Sequence, residues 1–321
     1  MKIISWNING IRSNIVDSNT AKYKKPREIK KNSSFWKIIT KYDPDIVCFQ
    51  ETRLSPELYY LFETENIKKY FPYQYWSSSE GEKSRSGNRY SGTSIWSKFE
   101  AKTAEYHIDK LNKNEGRFIR LDFDNLIVIT TYTPNSGSNW DYRLNAWEPT
   151  IRNYLKKLCK KNKPVVYCGD NNIANKKDIW FGEMLNKRCE TEKDPEKKRK
   201  LLIKVKNKNK FHLGTEIIYG YSMEERNAYD KLLSKTKMID CYRYIYPNIC
   251  DKFTWFNVRI RKSFENNIGW LIDRFLIQNK HKNLIGKCEI LHEIGTRNSK
   301  GIFISDHIPI LLELTDFEDQ C

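Results

Sequence analysis

Long apolar runs are missing from this chain: no stretch approaches the ~20 consecutive apolar residues that a membrane span needs. Residues Met1 to Trp6 form a short β-like run rather than a charged segment followed by an apolar one, so no secretory leader is expected. Glycine (14) and proline (10) are too sparse among 321 residues for a collagenous chain. The eight cysteines include no C-x-x-C pair, which argues against a zinc site and against a disulfide scaffold. Cys48 and Cys168 lie inside apolar runs and read as small buried hydrophobes; reduced thiols are expected. Aromatic residues are not scarce, at 13%, and 39% of residues are hydrophobic, so the chain can build a sizeable core and is not disordered.

Acidic residues are in deficit. Forty Asp and Glu face 57 Lys and Arg, a net charge of +17. Such an excess points to a polyanionic partner, nucleic acid first and an anionic membrane surface second. A Lys-, Asn- and Ile-rich composition with a solvated basic surface would give the same number.

Apolar periodicity predicts strands over 2–6, 45–50, 90–97, 165–168, 253–258, 272–277, 288–292 and 308–314. It also predicts a hairpin over 118–132 that turns at Asp124-Asn125. Gly92 is expected to permit a close backbone approach. Helices are expected over 35–42, 55–70, 142–161 (with Asp141 as N-cap) and 223–235. Residues 13–32 read as a polar loop. No Pro/Gly/Ser-rich linker or internal repeat divides the chain. The expectation is one α/β (α+β) domain over 1–321, two facing mostly antiparallel sheets flanked by helices in a four-layer α/β/β/α sandwich. Its exception is a Lys-rich insertion at about 176–212, a charged helix pair or a partly disordered surface segment.

Polar residues cluster at the ends of the apolar strands. Asn7 and Asn9 follow the first, Gln50 and Glu51 the second. Tyr132 and Asn135 follow the hairpin, and Asp170 and Asn172 follow 165–168. Asp273 precedes one late strand, and Ser305, Asp306 and His307 precede the last. Each has an ordinary structural reading. Asn7 and Asn9 could serve a turn at Gly10, and Glu51 could pair with Arg53. Residues 169–172 and 305–307 could be capping loops, and Trp255 and Trp270 could be core. Taken jointly, several carboxylates gathered together would repel one another unless a cation lies between them. Oxygen donors without thiols suit a hard cation, Mg²⁺ or Mn²⁺. A His near an Asp offers an oriented imidazole.

The joint order of motifs carries a resemblance: W-N-x-N-G, Q-E-T, Y-S-G, E-G-R, Y-x-P-N-S-G, G-D-x-N, a late W-x-x-D, and S-D-H near the C-terminus. From Met1 to about Leu314 the chain resembles the exonuclease III class of apurinic/apyrimidinic (AP) endonucleases, within the endonuclease/exonuclease/phosphatase superfamily. The start W-N-I-N-G-I-R, Y-T-P-N-S-G, the pattern of Tyr142, Arg143 and Trp147, and G-Y-S-x-x-E-R over 220–226 mark the narrower class. So do F-T-W-F and N-x-G-W. The chain departs from that pattern at Ile218 and Leu271, where the family usually has Asn and Arg.

The resemblance implies roles. Glu51 would be the main metal carboxylate, helped by Asn9 and Asp306, with Asn7 shaping the same floor. Asp170 would orient or deprotonate the attacking water, and Asn172 would hold it or a phosphate oxygen. His307, with its tautomer fixed by Asp273, would stabilise charge on the scissile phosphate. Tyr132 and Asn135 would bond that phosphate, and Trp255 and Trp270 would wall a pocket for a base-free sugar. The implied protein is a monomeric, Mg²⁺-dependent DNA repair nuclease (Mn²⁺ as substitute) that cuts duplex DNA 5′ to an abasic site. The resemblance also admits 3′-phosphodiesterase and 3′→5′ exonuclease activity. A superfamily phosphoesterase acting on another substrate, a non-specific DNase or RNase or a phosphoinositide phosphatase, is the alternative. The implied location is intracellular, in nucleus or cytoplasm, away from membranes.

Overall fold

A computed structural model describes residues 1–16, 28–80, 90–109, 111, 113–137, 139–297, 301 and 303–315. In chain order the strands are β1 (Lys2–Asn7), β2 (Ile46–Gln50), β3 (Tyr73–Ser77), β4 (Thr93–Ser97), β5 (Thr103–Glu105), β6 (Phe118–Asp122), β7 (Ile127–Tyr132), β8 (Val165–Asp170), β9 (Met238–Asp240), β10 (Trp255–Phe256), β11 (Gly269–Trp270), β12 (Asp273–Gln278), β13 (Ile285–Ile290) and β14 (Ile310–Leu314). The α-helices are α1 (Ile11–Ile15), α2 (Ser34–Tyr42), α3 (Glu65–Lys68), α4 (Glu148–Leu158), α5 (Leu185–Thr191), α6 (Pro195–His212), α7 (Met223–Thr236) and α8 (Cys241–Ile245).

Two six-stranded sheets form, ordered β13-β14-β1-β2-β4-β3 and β5-β6-β7-β8-β12-β9, and β10 and β11 make a small ribbon. The pairs β1–β2 and β7–β8 are parallel and the other strand pairs are antiparallel. Side chains alternate across each strand, so every central strand feeds two cores. Ile3, Ile46, Cys48 and Ile95 face Ile119, Val128, Cys168 and Phe275 between the sheets. Ile4, Trp6, Phe49 and Trp96 pack outward on Phe35 and Ile38 of α2. Ile129, Val165, Tyr167 and Leu276 pack outward on Ile151 and Leu155 of α4 and Leu232 of α7. The result is the expected helix–sheet–sheet–helix sandwich, and Cys48 and Cys168 lie buried at its centre.

Several elements differ from the sequence expectation. The single helix over 55–70 is a 3₁₀ turn, Pro56–Phe62, followed by α3. Thr64 stops the first and caps the second by accepting the Ile67 N–H at 3.3 Å. The helix over 142–161 starts with a wide π turn over Tyr142–Trp147. Pro149 cannot donate the bond that would close a tighter turn. Asp141 does not cap it; Asn139 Oδ1 accepts the Tyr142 N–H at 3.1 Å. Only Trp255–Phe256 is strand within 253–258, and β14 starts after Pro309, which has no ladder N–H. The strand over 90–97 is confined to Thr93–Ser97, because Ser91 and Gly92 are left-handed, at φ 62° and 94°. Gly92 does permit a close approach: a Cβ there would collide with the Thr52 hydroxyl. The expectation missed β3, β5, β9 and β11. Within 13–32, α1 takes the start, and residues 17–27 lie outside the described residues.

The insertion at 176–212 forms α5 and α6. Helix α6 carries eight Lys and Arg and a single Glu, and buries none of its residues fully. Leu201, Val205 and Phe211 still rest partly buried against Phe181 and Tyr221. Among the described residues no helix is long and apolar enough to cross a membrane.

Candidate active site

Strand register assembles the site. In the first sheet β1 and β2 run parallel with Asn7 opposite Gln50, so Asn7 and the following Glu51 leave at one edge. In the second, β7 and β8 run parallel with Tyr132 opposite Asp170, and β12 runs antiparallel with Asp273 opposite Asp170. Three polar side chains thus come level in one row, although 141 residues separate the first from the last in sequence (273 − 132). A backbone bridge between Trp255 and His307 brings in the last segment. Gly169 is required before Asp170: it sits at φ 131°, and a Cβ would collide with the Thr131 carbonyl oxygen on β7. Asn9, Glu51, Arg53 and Asn172 are all left-handed non-glycine residues, with φ of 47–51°. Such backbone strain gathers where side chains must be aimed.

Asn7 joins the two acidic strand ends. Its amide donates to Glu51 Oε1 at 2.9 Å and to Asp170 Oδ2 at 3.0 Å. His307 Nδ1 lies 2.9 Å from Asp273 Oδ2, and His307 Nε2 lies 3.8 Å from Asp170 Oδ2. Asn172 donates its backbone N–H to Asp170 Oδ1 at 2.9 Å and its amide to the Thr133 carbonyl at 2.8 Å. Burial pushes the Asp170 carboxyl up, to about 7; His307 opposes this, while Asp273 and Glu51 add to it. Burial works against the His307 imidazolium, but Asp273, Asp170 and Asp306 outweigh it and push the group up to about 10. Tyr132 is held well above the usual phenol range by burial and by the charges of Glu51 and Asp170, so it stays a hydroxyl donor.

The Glu51, Asp170 and His307 ligand atoms all lie within 4.8 Å of one another. The donor set fits a cation: two buried carboxylates share one amide, and one of them resists ionisation chiefly because it is buried. Positive charge between them would remove that penalty. Glu51, expected to be the main metal carboxylate, belongs to this cluster. Of its two expected helpers, Asn9 donates its amide to Asp306 Oδ1 at 2.7 Å, and Asp306, which lines the same cleft as Glu51, also accepts from Trp255 Nε1 at 3.0 Å. Glu51 also forms an ion pair with Arg53, the partnership the sequence offered as its ordinary reading.

A cleft of about 200 Å³ opens over this floor, lined by Glu51, Tyr132, Asn135, Asp170, Asn172, Asp306 and His307 on its polar side. Trp255 and Trp270 line it too; as cross-strand partners they meet edge-to-face with centroids 5.7 Å apart. Asn7, Asn9 and Asp273 support these groups from outside the lining. Tyr219, Gly220 and Ile272, to which the sequence reading assigned no site role, also line the cleft. That reading also gave no role to Arg117, whose guanidinium covers the Tyr132 ring at 4.6 Å. The E-G-R motif was its only signal.

A two-sheet sandwich with carboxylates, amides and an imidazole gathered at one edge of both sheets defines the class of this protein. The chain belongs to the Endonuclease/Exonuclease/phosphatase family, whose model matches residues 4–307. It is similar to an exodeoxyribonuclease of Bacillus subtilis (strain 168), 29% identical over 97% of this chain and 98% of that one. It is also similar to a DNA-(apurinic or apyrimidinic site) endonuclease of Dictyostelium discoideum, 26% identical over 97% of this chain and 69% of the other. The structure of an AP endonuclease from Archaeoglobus fulgidus shares the fold, with a TM-score of 0.67 at 23% identity, covering 98% and 99% of the two chains.

Proposed function

We propose that this protein is a metal-dependent DNA repair nuclease that hydrolyses the phosphodiester 5′ to an abasic site in duplex DNA. The observation that carries the reading is Asp170. It is a buried carboxyl set between the Asn7–Glu51 pair and the His307–Asp273 pair, under a cleft with two tryptophans in its wall. A carboxylate held within reach of the attacking water can act as its general base. Asp170 takes the proton of the attacking water, and Asn172 fixes the carboxylate through its backbone N–H. His307, kept charged and oriented by Asp273, faces the phosphate charge; Tyr132 and Asn135 donate to phosphate oxygens. Glu51 would hold Mg²⁺, or Mn²⁺ in its place, facing Asp170 across the site, and the cation would supply Lewis-acid polarisation of the phosphate. Trp255 and Trp270 favour a sugar without a base, and extruding such a sugar breaks no base pair.

The basic insertion supports a duplex partner. Helix α6, about 27 Å long at 1.5 Å per residue, is joined to the cleft wall. His212 at its end lies 2.6 Å from the Tyr221 hydroxyl, and the Tyr221 ring stands 6.5 Å from that of Trp270. Its lysines can neutralise phosphates flanking the site.

The test is a duplex carrying one tetrahydrofuran abasic analogue, incubated with Mg²⁺ beside an intact duplex and an inositol polyphosphate. Incision of the analogue strand alone is expected. Turnover of the inositol polyphosphate without incision would sink the reading. A second prediction needs no turnover. Mg²⁺ at about 100 times its Kd should stabilise the fold by about 2.7 kcal/mol at pH 8. At pH 5 the gain should be much smaller, because Asp170, with its pKa raised from 3.8 to about 7, is then protonated and the cation must displace that proton. Thermal melts at the two pH values check this, and equal Tm shifts would remove Asp170 from the metal site.

A further inference from the structure

The cleft carries aromatic surface that the hydrolytic chemistry leaves unused. Tyr219 lines it beside Trp270 and Asn135, yet 52% of Tyr219 is open to solvent. Its ring meets that of Trp140 at 6.1 Å, with 62° between the planes, and Trp140 is only half-buried.

The two loops that bear this pair are tied together. Buried Glu225 accepts the Gly220 N–H at 2.9 Å and the Ser222 N–H at 3.2 Å on one loop, and the Ser136 hydroxyl at 2.6 Å on the other. The Gly220 carbonyl accepts the Ala174 N–H at 2.8 Å, which anchors the first loop just beyond the Asp170–Asn172 turn. Gly137 lies flat against the Tyr219 ring; a Cβ there would come within 2.9 Å of it. The ring is therefore fixed in direction while half its surface stays free. Asn135, two residues before Gly137, lines the same cleft, where the proposed reaction puts the phosphate.

We propose that Tyr219, backed by Trp140, stacks the nucleobase next to the scissile phosphate on the cleaved strand. The proposal rests on reading the cleft as a phosphodiester site. Beyond a phosphate held at Asn135 and Tyr132, the next apolar group along a DNA strand is a base. Each base presents a π-face, which an exposed Tyr–Trp corner matches with no requirement for sequence. The half-buried Trp255–Trp270 pair forms a separate aromatic wall, so the cleft offers one wall to a base-free sugar and a second, outer one to its neighbour.

The experiment measures binding in EDTA, where nothing is cut, to a duplex with a tetrahydrofuran site and 2-aminopurine as the flanking nucleotide. The wild-type protein should quench the 2-aminopurine by stacking. Tyr219→Ala should lose the quench and raise Kd about 5- to 150-fold, the range for one base–aromatic stack. Tyr219→Phe should keep both. When the flanking nucleotide also lacks its base, the wild type should bind as weakly as Tyr219→Ala, and the variant should lose nothing more. Equal wild-type affinity for the two flanks would overturn the proposal, and that comparison stands even if Tyr219→Ala fails to fold. Absence of incision on adding Mg²⁺ would instead count against the nuclease reading, because stacking is read without turnover.

Discussion

Replacing Asp170 by Asn should lower kcat by about 10²–10⁴-fold on an abasic duplex, the span for loss of a general base. The loss belongs at the upper end, because the substitution removes more than a proton acceptor. Asn keeps the carbonyl that Asn172 N–H needs. Its amide hydrogens, however, turn toward the Asn7 amide and His307, which are both donors. The site also loses one of the two carboxylates between which a cation would sit. Stability should move the other way. The Asp170 pKa is raised in the fold, so its ionisation costs stability as pH rises from about 3.8 to about 7, a cost present in full above 7. The metal-free Asn variant is spared that cost at pH 8, which offsets the new donor–donor contacts, so its melting temperature should be unchanged or higher. Single-turnover cleavage and thermal melts check the pair of outcomes. Activity within tenfold of wild type would refute the role, and a lower Tm would mean that the charge is balanced some other way.

The second large effect lies beneath the site. Arg274 is fully buried on β12; its guanidinium bonds Asp240 at 2.6 Å, Asp178 at 2.7 Å and the Leu271 carbonyl at 3.0 Å. Asp178 also pairs with Arg243, 2.9 Å from its Nε. Arg274→Met should destabilise by about 3–5 kcal/mol, because it leaves Asp240 without a buried cation and Asp178 with one fewer. Adding Asp178→Asn and Asp240→Asn should recover part of that loss, since a buried network removed as a whole costs little.

The network also sets acid behaviour. Burial opposes ionisation of Asp178, but Arg274 and Arg243 outweigh it and hold its carboxyl below the usual range. That stability is present above the ordinary carboxylate pKa of 3.8 and is lost as pH falls through the lower folded value. Wild type should therefore weaken below about pH 4, and Arg274→Met should show a smaller acid-side loss. Urea unfolding at pH 7 and pH 3 measures both, and a variant with wild-type stability at pH 7 would show the network to be dispensable. Because Arg274 follows Asp273, loss of this anchor should also loosen His307.

Much of this was legible in the sequence. Asn7, Glu51, Tyr132, Asp170 and Asp273 each end or begin an apolar strand, and polar residues at such breaks read as site candidates before any fold is known. The amphipathic pattern from Phe35 to Tyr42 and the hairpin at Asp124-Asn125 were equally plain, because periods of 3.6 and 2 are local properties. Tyr219 was not legible: it stands in a loop between Lys-rich and helical segments, and nothing local shows that Glu225 and Ser136 hold it over the cleft. Arg274 reads as one charged residue in an apolar strand, and its partners Asp178 and Asp240 are 96 and 34 residues away.

By itself the sequence determined the sandwich, the family and the set of polar groups at the strand ends, because alternation, caps and motif order are written along the chain. The tertiary structure alone decided which of those groups meet. Parallel register sets Tyr132 beside Asp170, and antiparallel register sets Asp273 on its other side. Asn7 then couples Glu51 to Asp170, while Asn9 and Asp306 pair with each other. Register depends on hydrogen bonds between strands far apart in sequence, and burial fixes the charge each group can carry. Neither quantity exists until the two sheets are packed face to face.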